Sequence, residues 1–173
     1  MWGYGFLKVI GLIGLGAMGG SYAKHLLSSG YEVFGVDPDK SNSSLFVSSG
    51  GIIVSDINDL MSKCKVIILS LPTVPIFKDV VNQFEKNKSV SMTEVVIDMN
   101  TISLEDKLDA KNRLNKFNIE LIDAPVSGTG AQAKSKDLVV MSSGSEKTVS
   151  DCEEIFNSFA RKNIYVGEFG NGI

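Results

Sequence analysis

Gly14-Leu15-Gly16-Ala17-Met18-Gly19 sits where the hydrophobic pattern of the chain changes period. Before it runs Leu7-Lys8-Val9-Ile10-Gly11-Leu12-Ile13, an apolar stretch that suits a buried strand. After it, Met18 to Leu27 carries a helical pattern. A second strand, Glu32-Val33-Phe34-Gly35-Val36, follows and ends on Asp37. Strand, G-x-G-x-x-G turn, helix, strand and acid together make a dinucleotide-binding fingerprint. In that reading Gly14 permits the tight turn, Gly16 lets a pyrophosphate approach the backbone, and Gly19 lets the helix pack close to the strand. The helix N-terminus offers free N–H groups and the positive end of its dipole to the phosphates. Without this context the same six residues would be no more than a tight turn that binds nothing.

Working outward, the rest of the chain keeps alternating. The pattern predicts a short helix over residues 39–49, a short strand Gly51-Ile52-Ile53-Val54 and a helix from Asp56 to Ser62. Val66-Ile67-Ile68-Leu69-Ser70-Leu71 is continuously apolar apart from one serine, as expected of a strand buried on both faces, and Pro72 stops it. Val74 to Phe84 reads as a helix with Val74, Phe77, Val81 and Phe84 on one face. Val95-Val96-Ile97-Asp98 is the next strand. Ser103 to Phe117 is a polar helix with Ser103 as N-cap, and Ile119 to Asp123 is another strand. Leu138 to Met141 and Ile164 to Val166 read as strands flanking a helix near Glu146 to Phe159. Alternation of this kind predicts an α/β fold of the Rossmann type: a doubly wound, mostly parallel sheet with helices on both faces.

Length and composition set bounds. At 173 residues the chain suits one dinucleotide-binding domain, residues 1–173, with a sizeable core. Its net charge of −3 gives no reason to expect nucleic acid or an anionic membrane as partner. Cys64 and Cys152 form neither a metal-type spacing nor a disulfide framework, which favours the cytoplasm or another reducing intracellular compartment. Lys8 followed by Val9 to Gly20 looks like a short signal-peptide core, but the first strand and its glycine turn account for the same residues. No apolar run reaches the roughly 18 residues of a spanning helix.

Ligands of open α/β sheets lie beyond the carboxyl ends of the strands, so those ends supply the site candidates. Asp37 lies 18 residues after Gly19, near where an acid should bond the adenosine ribose hydroxyls. A carboxylate there repels a 2′-phosphate, and Pro38, not arginine, comes next. NAD is therefore favoured over NADP. The plainer reading of Asp37-Pro38 is a turn starter. Leu71 ends the fourth strand, and Pro72 and Thr73 follow it. Asn100 and Thr101 follow the fifth, with short polar side chains able to bond a carboxamide or ribose. Ser127-Gly128-Thr129-Gly130 offers two hydroxyls and open backbone N–H groups, a suitable cradle for a carboxylate. His25, mid-helix after the fingerprint, suits packing better than base catalysis.

Three motifs occur in order: Ile13-Gly14-Leu15-Gly16-Ala17-Met18-Gly19, then Asp98-Met99-Asn100-Thr101-Ile102-Ser103, then Asp123-Ala124-Pro125-Val126-Ser127-Gly128-Thr129-Gly130-Ala131. On them, the chain from Lys8 to Ile173 resembles the β-hydroxyacid dehydrogenases, the group of 3-hydroxyisobutyrate dehydrogenase and its relatives. The resemblance implies cofactor contacts from Gly14, Leu15, Gly16, Ala17, Met18, Gly19, Asp37, Leu71, Pro72 and Thr101. It implies substrate-carboxylate contacts from Ser127, Gly128 and Thr129. The family usually has Ser-Thr where this chain has Asn100-Thr101, and Ser-Gly-Gly where it has Ser127-Gly128-Thr129. Both changes keep hydrogen-bonding capacity and leave the substrate open.

Similar enzymes next carry G-x-G-x-x-x-K, whose lysine is the general acid/base, and then an all-helical domain used for dimerisation. Gly170-Asn171-Gly172 matches the start of that motif, which places the lysine after Ile173. The expectation is the NAD-binding half of a homo-oligomeric oxidoreductase that moves a hydride between a small 3-hydroxy acid and NAD. The 173 residues alone would then lack the catalytic group. One alternative is a 6-phosphogluconate-dehydrogenase-like enzyme, whose sugar phosphate would call for basic residues that Asp123 to Ala133 do not supply. Another is a non-catalytic NAD-binding module.

Overall fold

β1 (Val9–Ile13), β4 (Val66–Leu69), β5 (Val95–Asp98) and β6 (Glu120–Asp123) are short apolar strands, nearly every residue of which is buried. Strands covered on both faces need helices on each side, and the chain supplies them in alternation. The computed structural model describes residues 8–87 and 91–172; Leu7 of the predicted first strand and Ile173 lie outside these. Between the strands run α1 (Ala17–Ser28), β2 (Glu32–Val36), α2 (Lys40–Ser48), β3 (Ile52–Ile53), α3 (Ile57–Lys63), α4 (Val74–Lys86) and α5 (Leu104–Asn115). The six strands pair in parallel in the order β3-β2-β1-β4-β5-β6. This is the doubly wound order, with its switch point between β1 and β4.

Two apolar layers cover the sheet. One joins Ile10, Leu12 and Ile68 to Tyr22 and Leu26 of α1 and to Phe156 and Phe159 near the C-terminus. The Tyr22 and Phe159 rings lie 4.8 Å apart. The other joins Ile67, Leu69 and Val96 to α3, α4 and α5 through Leu60, Phe77, Phe84 and Leu114. Arg113 clamps α5 to α4 by bonding both carboxylate oxygens of Glu85, at 3.0 and 2.7 Å.

Three elements differ from the sequence reading. Leu138–Met141 does form a strand, β8 (Val139–Ser142), but it does not extend the main sheet. It pairs antiparallel with β7 (Val126–Ser127) and parallel with β9 (Lys162–Tyr165) in a second, three-stranded sheet. A single bridge between Asp123 and Ser143 links it to β6. The residues after Thr129 form a short helix, α6 (Gly130–Lys134), where a loop is expected. The helix predicted near 146–159 is two, α7 (Glu146–Asp151) and α8 (Glu153–Phe159), which bend at Cys152.

Candidate functional site

A cleft of about 850 Å³ opens at the switch point, beyond the carboxyl ends of β1 and β4. The glycine turn forms one wall, Asp37 and Pro38 a second, and Leu71, Pro72 and the outer face of α4 a third.

The three glycines answer to three different constraints. Gly14 has φ +91, and a Cβ there would lie 2.1 Å from the Ser70 carbonyl oxygen. A Cβ on Gly19 would lie 1.9 Å from the Gly14 carbonyl oxygen, so α1 can cross β1 this closely only without a side chain. A Cβ on Gly16 would meet nothing within 4 Å. Packing therefore explains Gly14 and Gly19, whereas Gly16 leaves open space on the cleft side.

α1 starts at Gly16 with no side chain capping its first N–H groups. By contrast α2, α3, α4, α5, α6 and α7 are each capped by a Ser, Thr or Asp side chain. Helix N-termini left with unsatisfied donors beside a cavity are anion sites. The residues present therefore fit a pyrophosphate in the cleft.

Asp37 is half-buried at the end of β2. Its Oδ2 accepts the Leu15 N–H at 2.6 Å and the Asn42 amide at 3.3 Å, and its Oδ1 accepts the Asp39 N–H at 2.7 Å. The acid therefore both closes the glycine turn and starts the turn into α2. Ionised carboxylates have roughly four acceptor sites, so a ribose hydroxyl can still be received.

The structure brings Gly14, Gly16, Ala17, Met18, Asp37, Leu71 and Pro72 onto this one cleft. Leu15 and Gly19 are buried and do not line it. Thr73, Asn100, Thr101 and Ser127 to Thr129 lie outside its lining. Thr73 is exposed and caps α4, accepting from Ile76 N–H. Asn100 is buried, and its side chain is spoken for: Oδ1 accepts the Leu71 N–H at 2.6 Å, and Nδ2 donates to Asp98 Oδ1 at 2.6 Å. Thr101 beside it is exposed. Ser127 is exposed on β7, and Gly128 has φ +144. Thr129 is not an open cradle residue. It caps α6 in a reciprocal box with Gln132, whose Oε1 accepts the Thr129 N–H at 3.0 Å. His25 meets the carbonyl oxygen of Ala133 through Nε2 at 2.9 Å and so joins α1 to α6.

Sequence reading missed Asn42, Ser55, Asp56 and Ile57, and the α4 residues Ile76, Val80 and Gln83, all of which line the cleft. Two signals point to them. Ser55 follows the third strand, where the strand-end rule applies as well as elsewhere. Ile76, Val80 and Gln83 share helical spacing one position round from the buried face of Phe77 and Phe84.

The fold, the switch-point cleft and the open α1 terminus define an NAD-binding α/β domain of the dehydrogenase type. Residues 9–167 match the family model described as the NAD binding domain of 6-phosphogluconate dehydrogenase, and the chain belongs to that family. Human mitochondrial 3-hydroxyisobutyrate dehydrogenase is 30% identical, in an alignment that covers 94% of this chain and 49% of the relative. The 2-(hydroxymethyl)glutarate dehydrogenase of Eubacterium barkeri is 29% identical over 94% of this chain and 54% of its own length. Among solved structures, 3-hydroxyisobutyrate dehydrogenase of Mycobacterium tuberculosis with L-serine superposes with a TM-score of 0.88 at 26% identity, over 95% of this chain and 56% of that one. The chain thus spans about half the length of the relatives it matches. Over that half, the resemblance to β-hydroxyacid dehydrogenases read from the three motifs holds, and NAD is the cofactor class. Among the described residues no helix is long and apolar enough to cross a membrane.

Proposed function

We propose that this protein belongs to an enzyme that exchanges a hydride between a small 3-hydroxy acid and NAD. The observation that carries the reading is the glycine-lined, uncapped start of α1 with the Asp37 carboxylate across from it. In this reading the N–H groups after Gly16 hold the pyrophosphate, and Asp37 bonds the adenosine ribose. Leu71, Pro72, Ile76 and Val80 flank the adenine side. When bound, the nicotinamide accepts or returns the hydride. Thr73, Asn100 and Thr101 stand along the strand ends on the way to the nicotinamide end. Ser127 and the Gly128 backbone take the substrate carboxylate, and the Thr129 cap fixes the loop that presents them.

A carboxylate at the ribose position disfavours a 2′-phosphate, so NAD(H) is preferred over NADP(H). Oligomerisation is assigned to the region of the relatives that this chain does not span. Cys64 and Cys152 are free and buried, which suits a reducing compartment.

The test is titration with NADH and NADPH, followed by an NAD-reduction assay on a panel of 3-hydroxy acids that includes 6-phosphogluconate. Tighter NADPH binding would remove the Asp37 argument. Turnover of 6-phosphogluconate in preference to the non-phosphorylated acids would replace the substrate class.

A further inference from the structure

The register of the sheet places Asp98, the last residue of β5, directly beside Asp123, the last residue of β6. Both are fully buried. Two carboxylates side by side in an apolar interior oppose each other's ionisation. α5 answers them with a single side chain. Lys107 is itself fully buried, and its Nζ lies 2.5 Å from Asp123 Oδ1 and 3.2 Å from Asp98 Oδ2. It also donates to the Asn100 carbonyl oxygen at 2.6 Å. Asp98 Oδ2 receives no aligned hydrogen bond, so this ammonium is its compensation.

The network leads from there to the cleft. Asp98 Oδ1 accepts the Asn100 N–H at 3.0 Å and the Asn100 side-chain amide at 2.6 Å. With its amide so held, Asn100 turns Oδ1 to the N–H of Leu71, a cleft residue. On the other side, Asp123 Oδ2 accepts the Ser143 hydroxyl at 3.0 Å, and Ser143 Oγ accepts the Gly170 N–H at 3.1 Å. Burial pushes the Asp98 carboxyl up from its ordinary value, and the Lys107 ammonium draws it back. The other charged groups of α5 nearby are engaged elsewhere: Asp106 with Lys78 and Ser103, and Lys111 over the Phe169 ring.

We propose that Lys107 is a positioning residue for the cofactor cleft: by offsetting the Asp98–Asp123 pair it keeps Asp98 an acceptor for Asn100, and Asn100 in turn fixes the Leu71 edge. The inference rests on the reading of the cleft as the NAD site. It makes no claim that Lys107 touches cofactor or substrate. A buried ammonium is a costly way to join two strands, and an apolar side chain would often pack there equally well. Its connection to the cleft through Asn100 gives it a purpose beyond packing.

The experiment measures NADH affinity from pH 6 to pH 9 on the whole protein, as wild type, Lys107→Met and Lys107→Met/Asp123→Asn. Lys107→Met should bind NADH roughly tenfold more weakly at pH 8. Its deficit should grow with pH, because burial already raises the Asp98 carboxyl, and without the ammonium its ionisation at higher pH stands uncompensated beside Asp123. The double variant removes the second carboxylate as well. It should return to within about threefold of wild type, because one buried carboxylate then stands where two opposed each other. Wild-type affinity in folded Lys107→Met at every pH, or no recovery in the double variant, would overturn the proposal. If Lys107→Met does not fold, Lys107→Gln, which keeps a donor but no charge, decides alone: a loss of roughly tenfold that grows with pH supports the proposal, and wild-type affinity at every pH overturns it. Failure of the wild type to bind NADH would strike the cleft assignment instead.

Discussion

The carboxylate of Asp37 accepts the backbone N–H of Leu15 at 2.6 Å, so the acid that ends β2 also fastens the glycine turn after β1. Two strands that carry separate parts of the nucleotide site are thereby locked in relative position before any ligand arrives. Preorganisation of this kind lowers the cost of binding.

Asp37 therefore has two duties, and substitution should separate them. Asp37→Ala removes the turn contact and the ribose acceptor together. NADH affinity should fall roughly 10- to 100-fold, the cost of a hydrogen bond to a charged group. NADPH affinity should fall less, because repulsion of the 2′-phosphate is relieved at the same time. Asp37→Asn keeps an acceptor for Leu15 and should narrow the NADH preference with a smaller loss. Parallel titrations of both cofactors with the three proteins check this; equal losses for NADH and NADPH would show that Asp37 acts on the turn alone.

Gly14 and Gly16 should respond oppositely to a side chain. Gly14→Ala forces a Cβ into a position 2.1 Å from the Ser70 carbonyl oxygen at φ +91. It should lower Tm by roughly 10 °C. A Cβ on Gly16 meets no atom within 4 Å, so Gly16→Val should change Tm by only a few degrees. Its side chain nevertheless fills the space beside the open N–H groups, and NADH affinity should drop by about 100-fold or more. Thermal melts and NADH titrations on both variants give a crossed result if the two glycines have these separate roles.

The glycine motif was legible because it is local: turn, helix start and strand end lie within 24 residues, Gly14 to Asp37. The parallel order was legible because strands and helices alternate. The second sheet was not. The apolar run Leu138 to Met141 says that a strand forms but nothing about its partner, and β8 takes β7 and β9. Asn100 read as a polar residue at a strand end, free to meet a cofactor. Its contact with Asp98 is local, two residues back, but its partner Leu71 is set by the register of β4 against β5, which the sequence does not display. Lys107 belongs to the same class, since Asp123 reaches it from 16 residues away. The T-x-x-Q spacing of Thr129 and Gln132 is a local capping signal; its flanking glycines favour a loop reading, and the cap prevails.

The two thiols should set part of the alkaline limit of stability. Burial pushes Cys64 and Cys152 from an ordinary value of 9.0 up to about 12. A folded thiol then keeps a proton that the unfolded chain has released. Its contribution is whole below about pH 9 and is lost as pH rises toward about 12. Urea midpoints should decline above pH 9, and less steeply in Cys64→Ala/Cys152→Ala; burial of Tyr22 raises its hydroxyl and leaves a residual slope. Neither thiol should react with a disulfide reagent in the native protein at pH 8, whereas both should in urea. Rapid native labelling would contradict their buried placement.

Ser127 and Thr129 stand two residues apart, yet the proposed function gives them different work. Ser127 is exposed on β7, where the loop begins that the proposed function gives to the substrate carboxylate. Thr129 Oγ1 accepts the Gln132 N–H at 3.3 Å and Gln132 Oε1 returns to the Thr129 N–H at 3.0 Å, so its side chain serves α6. Ser127→Ala should leave Tm and NADH affinity unchanged and weaken a 3-hydroxy acid by roughly tenfold or more in kcat/KM, the loss of one hydrogen bond to a charged group. Thr129→Ala should cost about 1 kcal/mol of stability through the missing cap. Its kinetic defect should be smaller and should be repaired by Thr129→Ser, which restores the capping hydroxyl. The assay is steady-state turnover by the whole enzyme at saturating NAD, with melts on the same samples. A Thr129→Ala defect equal to that of Ser127→Ala with unchanged Tm would move Thr129 from the cap to direct contact with substrate.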